Sequence, residues 1–344
     1  METILYIAHT ESNGSLSKAS METLTAASDL AKKLAGATFV AGLIGENVQS
    51  AVNAVSNCGA SKFYAVEGAD FGSSRYASDV AALEILIRTA NATIVLASST
   101  SRFCRAMPGV AYRLKGLIDT HVSGFETGSG KLEIQRWYYR QRMVASMSRT
   151  QRPWLLLVDS GIYPAFQAQT GSATLQKIDM KLDESKKKTK VVGLQAPQTT
   201  AQTIRPDAAL LFVAGAGWTK KQADGQIHIK DAERIILDFL NSSNASLGSS
   251  KSLVDQGSEG EEVLPFLSHL NQVGQTGSTP RHPKGLAACC HGEEPHTVGW
   301  RFINERRAVN LDPNCGWAQG KADVLYVADA FQVMTKVTEL LTKK

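Results

Sequence analysis

The sequence predicts an α/β fold in two domains, the first built on a mostly parallel sheet. Three observations lead there. Strand-like and helix-like segments alternate through the first half of the chain. At 344 residues the chain exceeds the length at which one hydrophobic core usually stops growing. Between Asp183 and Arg205 the composition turns polar and lysine-rich, as a linker does. These place a first domain over residues 1–190, a linker over 191–206, a second domain over 207–330 and a closing helix over 331–344.

The elements follow in order. Ile4 to Ala8 is an apolar run, and then Met21, Leu24, Ala27, Leu30 and Leu34 recur at helical spacing before a stop at Gly36. Thr38 to Ile44 reads as strand, Val48 to Val55 as helix, Lys62 to Val66 as strand, Ala77 to Thr89 as helix and Thr93 to Ala97 as strand. Further strands are expected at Asp119 to Phe125 and Trp154 to Asp159. Such alternation implies parallel strands joined by right-handed crossovers. A second α/β pattern starts with the strand Ala208 to Val213. A helix at Ile235 to Leu240 and strands at Arg307 to Asn310 and Val324 to Ala328 follow. Phe331, Met334, Val337 and Leu341 then mark one face of the closing helix, free to bury against this chain or a partner.

Composition excludes several function classes. A 43% apolar, 20% charged chain with a formal net charge of +5 is neither disordered nor strongly polyanion-seeking. No run of about 18 apolar residues exists, and the start, Met1-Glu2-Thr3-Ile4-Leu5-Tyr6, fits no secretory or transit peptide, so no integral membrane segment and a cytoplasmic location are expected. Cys58, Cys104, Cys289, Cys290 and Cys315 are read as reduced thiols. Cys289 and Cys290, with His291 and His296 nearby, have no metal-ligand spacing and fall on the strand expected to enter the next loop, so no metal is expected. Arg136-Trp137-Tyr138-Tyr139-Arg140-Gln141-Arg142 mixes cations and aromatics, yet without a nucleic-acid motif it reads as an interface strand or a solvated hairpin; no nucleic acid is expected. The lysines from 186 to 190 read as solvated linker. The sequences that serve nucleophilic hydrolases, zinc hydrolases and nucleotide hydrolases are absent.

Two glycine-containing loops remain. Ala214-Gly215-Ala216-Gly217-Trp218 follows a strand and suits either a phosphate or a plain strand-exit turn, lacking the third glycine of the dinucleotide fingerprint. Gln272-Val273-Gly274-Gln275-Thr276-Gly277 is more specific. Two glycines bracket a Gln-Thr pair, presenting amide, hydroxyl and backbone N–H groups suited to a polar heterocycle or pyrophosphate. This hexapeptide resembles the signature loop of the alpha subunit of electron transfer flavoproteins. The resemblance runs along essentially the whole chain: Ala308-Val309-Asn310-Leu311-Asp312-Pro313, Ala322-Asp323 and Val327-Ala328-Asp329-Ala330-Phe331 resemble family segments, as do, more weakly, Leu96-Ala97-Ser98-Ser99 and Arg136 to Tyr139.

The resemblance implies a C-terminal doubly wound FAD-binding domain. Carried over by position, Val273, Gly274, Gln275 and Thr276 would surround the flavin, and Ser250 and Lys251 stand for the family's Ser-Arg, keeping a cation beside a reduced, anionic flavin. His296 would sit at the pyrimidine end of the isoalloxazine, where positive charge raises its potential. His291 and Gly292 begin the same segment, and Asn310 and Asp329 would meet the adenosine and pyrophosphate side. Two departures stand out. Gly217 replaces an arginine that contacts the phosphates, and His291-Gly292-Glu293-Glu294-Pro295-His296 replaces Ser-Gly-Ala-Ile-Gln-His. The implied function is an electron carrier rather than a substrate-transforming enzyme. It would pair with a beta-type subunit, take electrons from a flavin-dependent dehydrogenase and pass them to a quinone reductase or another acceptor. The alternative is an FAD-poor structural or docking subunit of a larger dehydrogenase complex.

Overall fold

The computed structural model describes residues 2–343 other than 129, 139–142, 170, 194–203, 257–262, 275–278, 290–302 and 315–321. The chain forms two compact units, one built on Met1–Tyr139 and Met143–Leu194, the other on Gln195–Lys344.

The first unit runs β1 (Thr3–His9), α1 (Lys18–Lys33), β2 (Thr38–Gly45), α2 (Gln49–Ala54), β3 (Phe63–Glu67), α3 (Ala69–Gly72), α4 (Tyr76–Thr89) and β4 (Ile94–Ser98). It continues with α5 (Ser101–Arg113), β5 (Leu117–Glu126), β6 (Glu133–Tyr138), β7 (Met143–Met147), β8 (Trp154–Val158) and β9 (Leu175–Lys177). Nine strands form one sheet in the order β7-β6-β5-β8-β4-β1-β2-β3-β9. The strands from β5 to β9 along this order are parallel, and β6 and β7 add an antiparallel edge. Chain order reverses between β1 and β4, which neighbour each other although β2 and β3 lie on the far side of β1. In sheets of this kind that reversal opens a crevice at the strands' carboxyl ends.

Both faces of the central strands are covered, so their sequences are continuously apolar rather than alternating. Ile4, Tyr6 and Ala8 face α1 and α2, while Leu5 and Ile7 face α4 and α5. Leu5, Ile7, Leu43 and Ile44 are fully closed to solvent. Each is worth about 1.5–3 kcal/mol in burial. α1 is capped by Ser17, whose hydroxyl accepts from the Ser20 N–H at 3.2 Å, and Gly36, at φ +73°, turns the chain into β2.

The second unit runs β10 (Leu210–Ala214), α6 (Ile229–Ser243), β11 (Ser246–Ser249), α7 (Lys251–Asp255), β12 (His282–Ala288), β13 (Ile303–Asn310), β14 (Val324–Val327) and α8 (Ala330–Thr342). Its five strands are all parallel in the order β11-β10-β12-β13-β14. The order reverses at β10, so this sheet too is doubly wound. α6 buries Ile229, Ala232, Ile235, Ile236, Phe239 and Leu240, a helical stripe that extends a turn and a half before the expected Ile235. Met334 of α8 is buried in the same core and Phe331, Val337 and Leu341 pack against it, partly buried; the Phe331 ring lies 4.6 Å from that of Trp218.

The structure adds elements that the periodicity did not announce, among them α3, α5, β9, β11 and α7. It also moves Cys289. The residue was expected on a strand, but β12 ends at Ala288 and Cys289 turns out of it at φ +59°. Among the described residues no helix is long and apolar enough to cross a membrane.

Candidate functional site

Of the residues singled out in the second unit, the described ones, Ser250, Lys251, Val273, Gly274, Asn310 and Asp329, lie close to the carboxyl ends of its strands. Ser250 and Lys251 follow β11. Ser250 caps α7: its hydroxyl accepts from the Leu253 N–H at 3.3 Å, and its own N–H donates to Ala214 O at 2.8 Å, joining the exits of β11 and β10. Lys251 is half exposed, with Nζ 3.7 Å from Asp255 Oδ2, and the other oxygen of Asp255 lies 3.7 Å from His269 Nδ1. The cation at this position is therefore shared with a carboxylate.

Val273 and Gly274 arrive at the same strand end. The Val273 N–H donates to Ser249 O at 3.0 Å, and a Cβ on Gly248 would come within 2.5 Å of Val273 Cγ2, so only glycine lets this segment lie against β11. Gly274 adopts φ +85°, and its N–H donates to Thr279 Oγ1 at 2.6 Å. Gln275 and Thr276, the next two residues of the hexapeptide, lie outside the described residues, as do His291, Gly292 and His296.

Asn310 and Asp329 form a second group. Asn310 ends β13 and is buried, with Oδ1 accepting from the Asp312 N–H at 3.3 Å and its carbonyl accepting from Ala328 N–H at 3.1 Å. Asp329 caps α8 through the Gln332 N–H at 3.1 Å. Burial and, next, the charge of Asp329 push the Cys289 thiol far up, away from the thiolate. The ends of β11 and β13 are separated by those of β10 and β12, about 14 Å at ordinary strand spacing. The site residues are thus two groups at one sheet edge, not one cluster.

Between the groups lies the turn after β10. Three of its amides are engaged: Gly215 N–H donates to Ala288 O at 2.9 Å, Gly217 N–H to Cys289 O at 2.8 Å and Trp218 N–H to Gly215 O at 3.3 Å. Those bonds tie the turn after β10 to the end of β12. Two buried polar atoms here have no partner among the described residues, Ser249 Oγ and Trp218 Nε1. An orphaned hydroxyl at the end of β11 is a group that a bound polar ligand would satisfy.

The first unit holds a charge cluster that sequence reasoning missed. Asp79, closed to solvent on α4, accepts from Arg102 Nη2 at 2.7 Å and from Arg105 Nη2 at 3.4 Å, and His9 Nε2 lies 3.6 Å away. Burial pushes the carboxyl up, but His9 and Arg102 outweigh it and hold Asp79 below the usual carboxylate range. His9 is shifted down, first by burial and then by Arg102, against the pull of Asp79. Its ring centre lies 4.5 Å from that of Phe103, the two planes tilted by 40°. These residues converge only because β1 and β4 are neighbours, which their sequence separation conceals.

The aromatic and basic run is likewise resolved in part. Arg136 on β6 spends its guanidinium on Asp119 at 3.0 Å and lies 4.8 Å from the centre of the Tyr138 ring, while residues 139–142 lie outside the described set. Its charge is committed inside the unit.

No curated protein matches the chain closely. Residues 4–183, more than half of the chain and nearly all of the first unit, match the model of the electron transfer flavoprotein domain. With that match lying over the doubly wound first unit, the chain belongs to the electron transfer flavoprotein family.

Proposed function

We propose that the chain is an alpha-type subunit that binds FAD along the carboxyl edge of the second sheet and pairs with a beta-type subunit. It takes electrons from a flavin-dependent dehydrogenase and hands them to a quinone reductase or another acceptor. The observation that carries the reading is the junction at β11. There the Val273 N–H bond to Ser249 O brings the start of the hexapeptide and the Ser250-Lys251 pair to one strand end. The 14 Å or so between this group and Asn310 and Asp329 suits a ligand of dinucleotide length. A topological switch lies between them, where doubly wound sheets bind such ligands.

The bound FAD would supply the electron-transfer chemistry, and the chain's residues would tune and shield it. Gly274 and Thr279 hold the loop's base rigid. Lys251 supplies positive charge on the side where reduction adds negative charge, moderated by Asp255. The Ser249 hydroxyl, buried and unpartnered among the described residues, offers a hydrogen bond. The first unit serves as a scaffold that faces the partners. No bond of a substrate is made or broken by the chain in this role.

One observation favours the second reading, an FAD-poor docking subunit. Both glycine amides of the β10 turn are consumed internally, and Gly217 offers no cation, so the phosphates would lose donors there. Purification with the partner subunit, a visible spectrum and a flavin count after denaturation separate the two. FAD near one per chain supports the carrier; a stable complex without flavin that takes up none on addition supports the docking subunit.

A further inference from the structure

We infer that His282 is a positioning residue for Gly274 and Thr279, acting as an imidazolium that ties this part of the candidate flavin site to the first residues of the second unit. The inference rests on the flavin reading for its role, though not for its geometry. His282 opens β12 and is closed to solvent. Its Nδ1 lies 2.8 Å from Pro280 O and its Nε2 lies 2.7 Å from Arg205 O. Both neighbours are carbonyl oxygens, which only accept. A neutral imidazole owns one N–H, so one nitrogen would turn a lone pair on an oxygen at hydrogen-bond distance. A proton on each nitrogen satisfies both contacts.

Each end of this staple leads to β11. Arg205 N–H donates to Ser246 Oγ at 2.7 Å, and its Nη2 donates to Asn244 O at 2.7 Å and Ala245 O at 3.2 Å, fixing it at the strand's start. Pro280 follows Thr279, whose hydroxyl accepts from Gly274 N–H, and Val273 N–H holds Ser249 at the strand's end. The path from Ser246 through Arg205, His282, Pro280, Thr279 and Gly274 to Ser249 is a closed ring of bonds around one short strand. His282 is its one titratable link. On the elements packed against it, Arg205 is committed to Asn244 and Ala245, and Arg281 donates to Asn304 Oδ1 at 3.2 Å. Ile303 stands opposite His282 on β13, with Lys284 and Glu305 facing each other one pair further along, and Asp207 follows Arg205 on an exposed turn. Loss of the second proton sets a lone pair against a carbonyl, the ring of bonds opens at His282, and Gly274 loses its support. Flavin affinity therefore falls as pH rises.

The test uses the full-length chain, titrated with FAD at about pH 6 and about pH 8, the range over which histidine changes charge. Wild type should bind about 10- to 100-fold more weakly at the higher pH, the size expected for losing a charge-assisted hydrogen bond. His282→Gln, neutral throughout, should bind at the weaker level with that pH dependence removed. Nitrogen NMR of the flavin-free wild-type chain, with the signal assigned by its absence from the variant or by proximity to Pro280, should show both His282 ring nitrogens protonated at about pH 6. A wild-type affinity that does not change with pH, a variant that keeps the wild-type profile, or a singly protonated ring at pH 6 overturns the inference and leaves the flavin reading intact. A wild-type chain with its partner that takes up no FAD at either pH overturns the flavin reading itself and removes the role assigned to His282.

Discussion

The indole N–H of Trp154 donates to Asp119 Oδ2 at 2.8 Å, and both residues are closed to solvent. Asp119 also accepts from Arg149 at 2.5 and 3.0 Å and from Arg136 at 3.0 Å, so one carboxylate on β5 fastens β6, the end of the β7 segment and β8. Burial pushes this carboxyl up, and the bonds to Arg149 and Trp154 with the charges of Arg149 and Arg136 more than reverse that.

Replacing Asp119 by alanine should destabilise the first unit by about 3–5 kcal/mol, because two guanidiniums and an indole N–H lose their shared acceptor. Urea unfolding followed by Trp154 fluorescence reads the effect. A loss below about 1 kcal/mol would mean that the arginines find other partners or water.

Acid should weaken the first unit in two steps. His9 is shifted down in the folded chain, so its contribution is complete above the unfolded value near 6.5 and is lost as pH falls from there toward the folded value. Asp79 is also shifted down, so its contribution is complete above the ordinary carboxylate value of 3.8 and disappears as pH falls through the lower folded value. Unfolding free energies measured from about pH 7 to about pH 3 should decline in wild type. In His9→Phe the decline just below about pH 6.5 should shrink, and an unchanged curve would refute the assignment.

Gly274→Ala should cost about 1 kcal/mol or somewhat more, since φ +85° is unfavourable for a side-chain-bearing residue. The larger consequence falls on flavin uptake, through the lost position of the N–H that bonds Thr279. Equilibrium dialysis with FAD checks it: binding unchanged from wild type would show that this turn does not shape the site.

Lys251→Gln should lower the midpoint potential of bound FAD by about 10–30 mV, as expected for removing one half-exposed positive charge. Asp255→Asn should raise it by a similar amount, by freeing that charge. Redox titration of the two variants with the same sign of change would contradict the opposing roles.

Much of the fold was legible because burial on both faces of a parallel strand writes itself as a short apolar run, as in Ile4 to Ala8, and amphipathic α1 repeats at helical spacing. Other elements were not. α5 keeps Phe103, Ala106, Met107, Val110 and Ala111 buried, but Pro108 and a Ser-Arg start interrupt its signal. β11 is Ser-Leu-Gly-Ser, with no strand-forming residue type; its pairing with β10 and the approach of Val273 decide its state. At the site, Ser250, Lys251, Val273, Gly274, Asn310 and Asp329 were named from the sequence, whereas the two-group spacing depends on strand order. The bond from His282 to Arg205 and the His9–Asp79–Arg102 cluster join residues tens of positions apart, and only the folded chain brings them into range.

The central claim is that the second unit holds flavin, and a stoichiometric count tests it most directly. The chain is copurified with its partner subunit, denatured, and the released flavin identified and counted against the chain. About one FAD per copy of this chain, lost when Gly274 and Lys251 are replaced together in a complex that still assembles, is the predicted result. An intact complex with no flavin, or with flavin unaffected by those replacements, would contradict it.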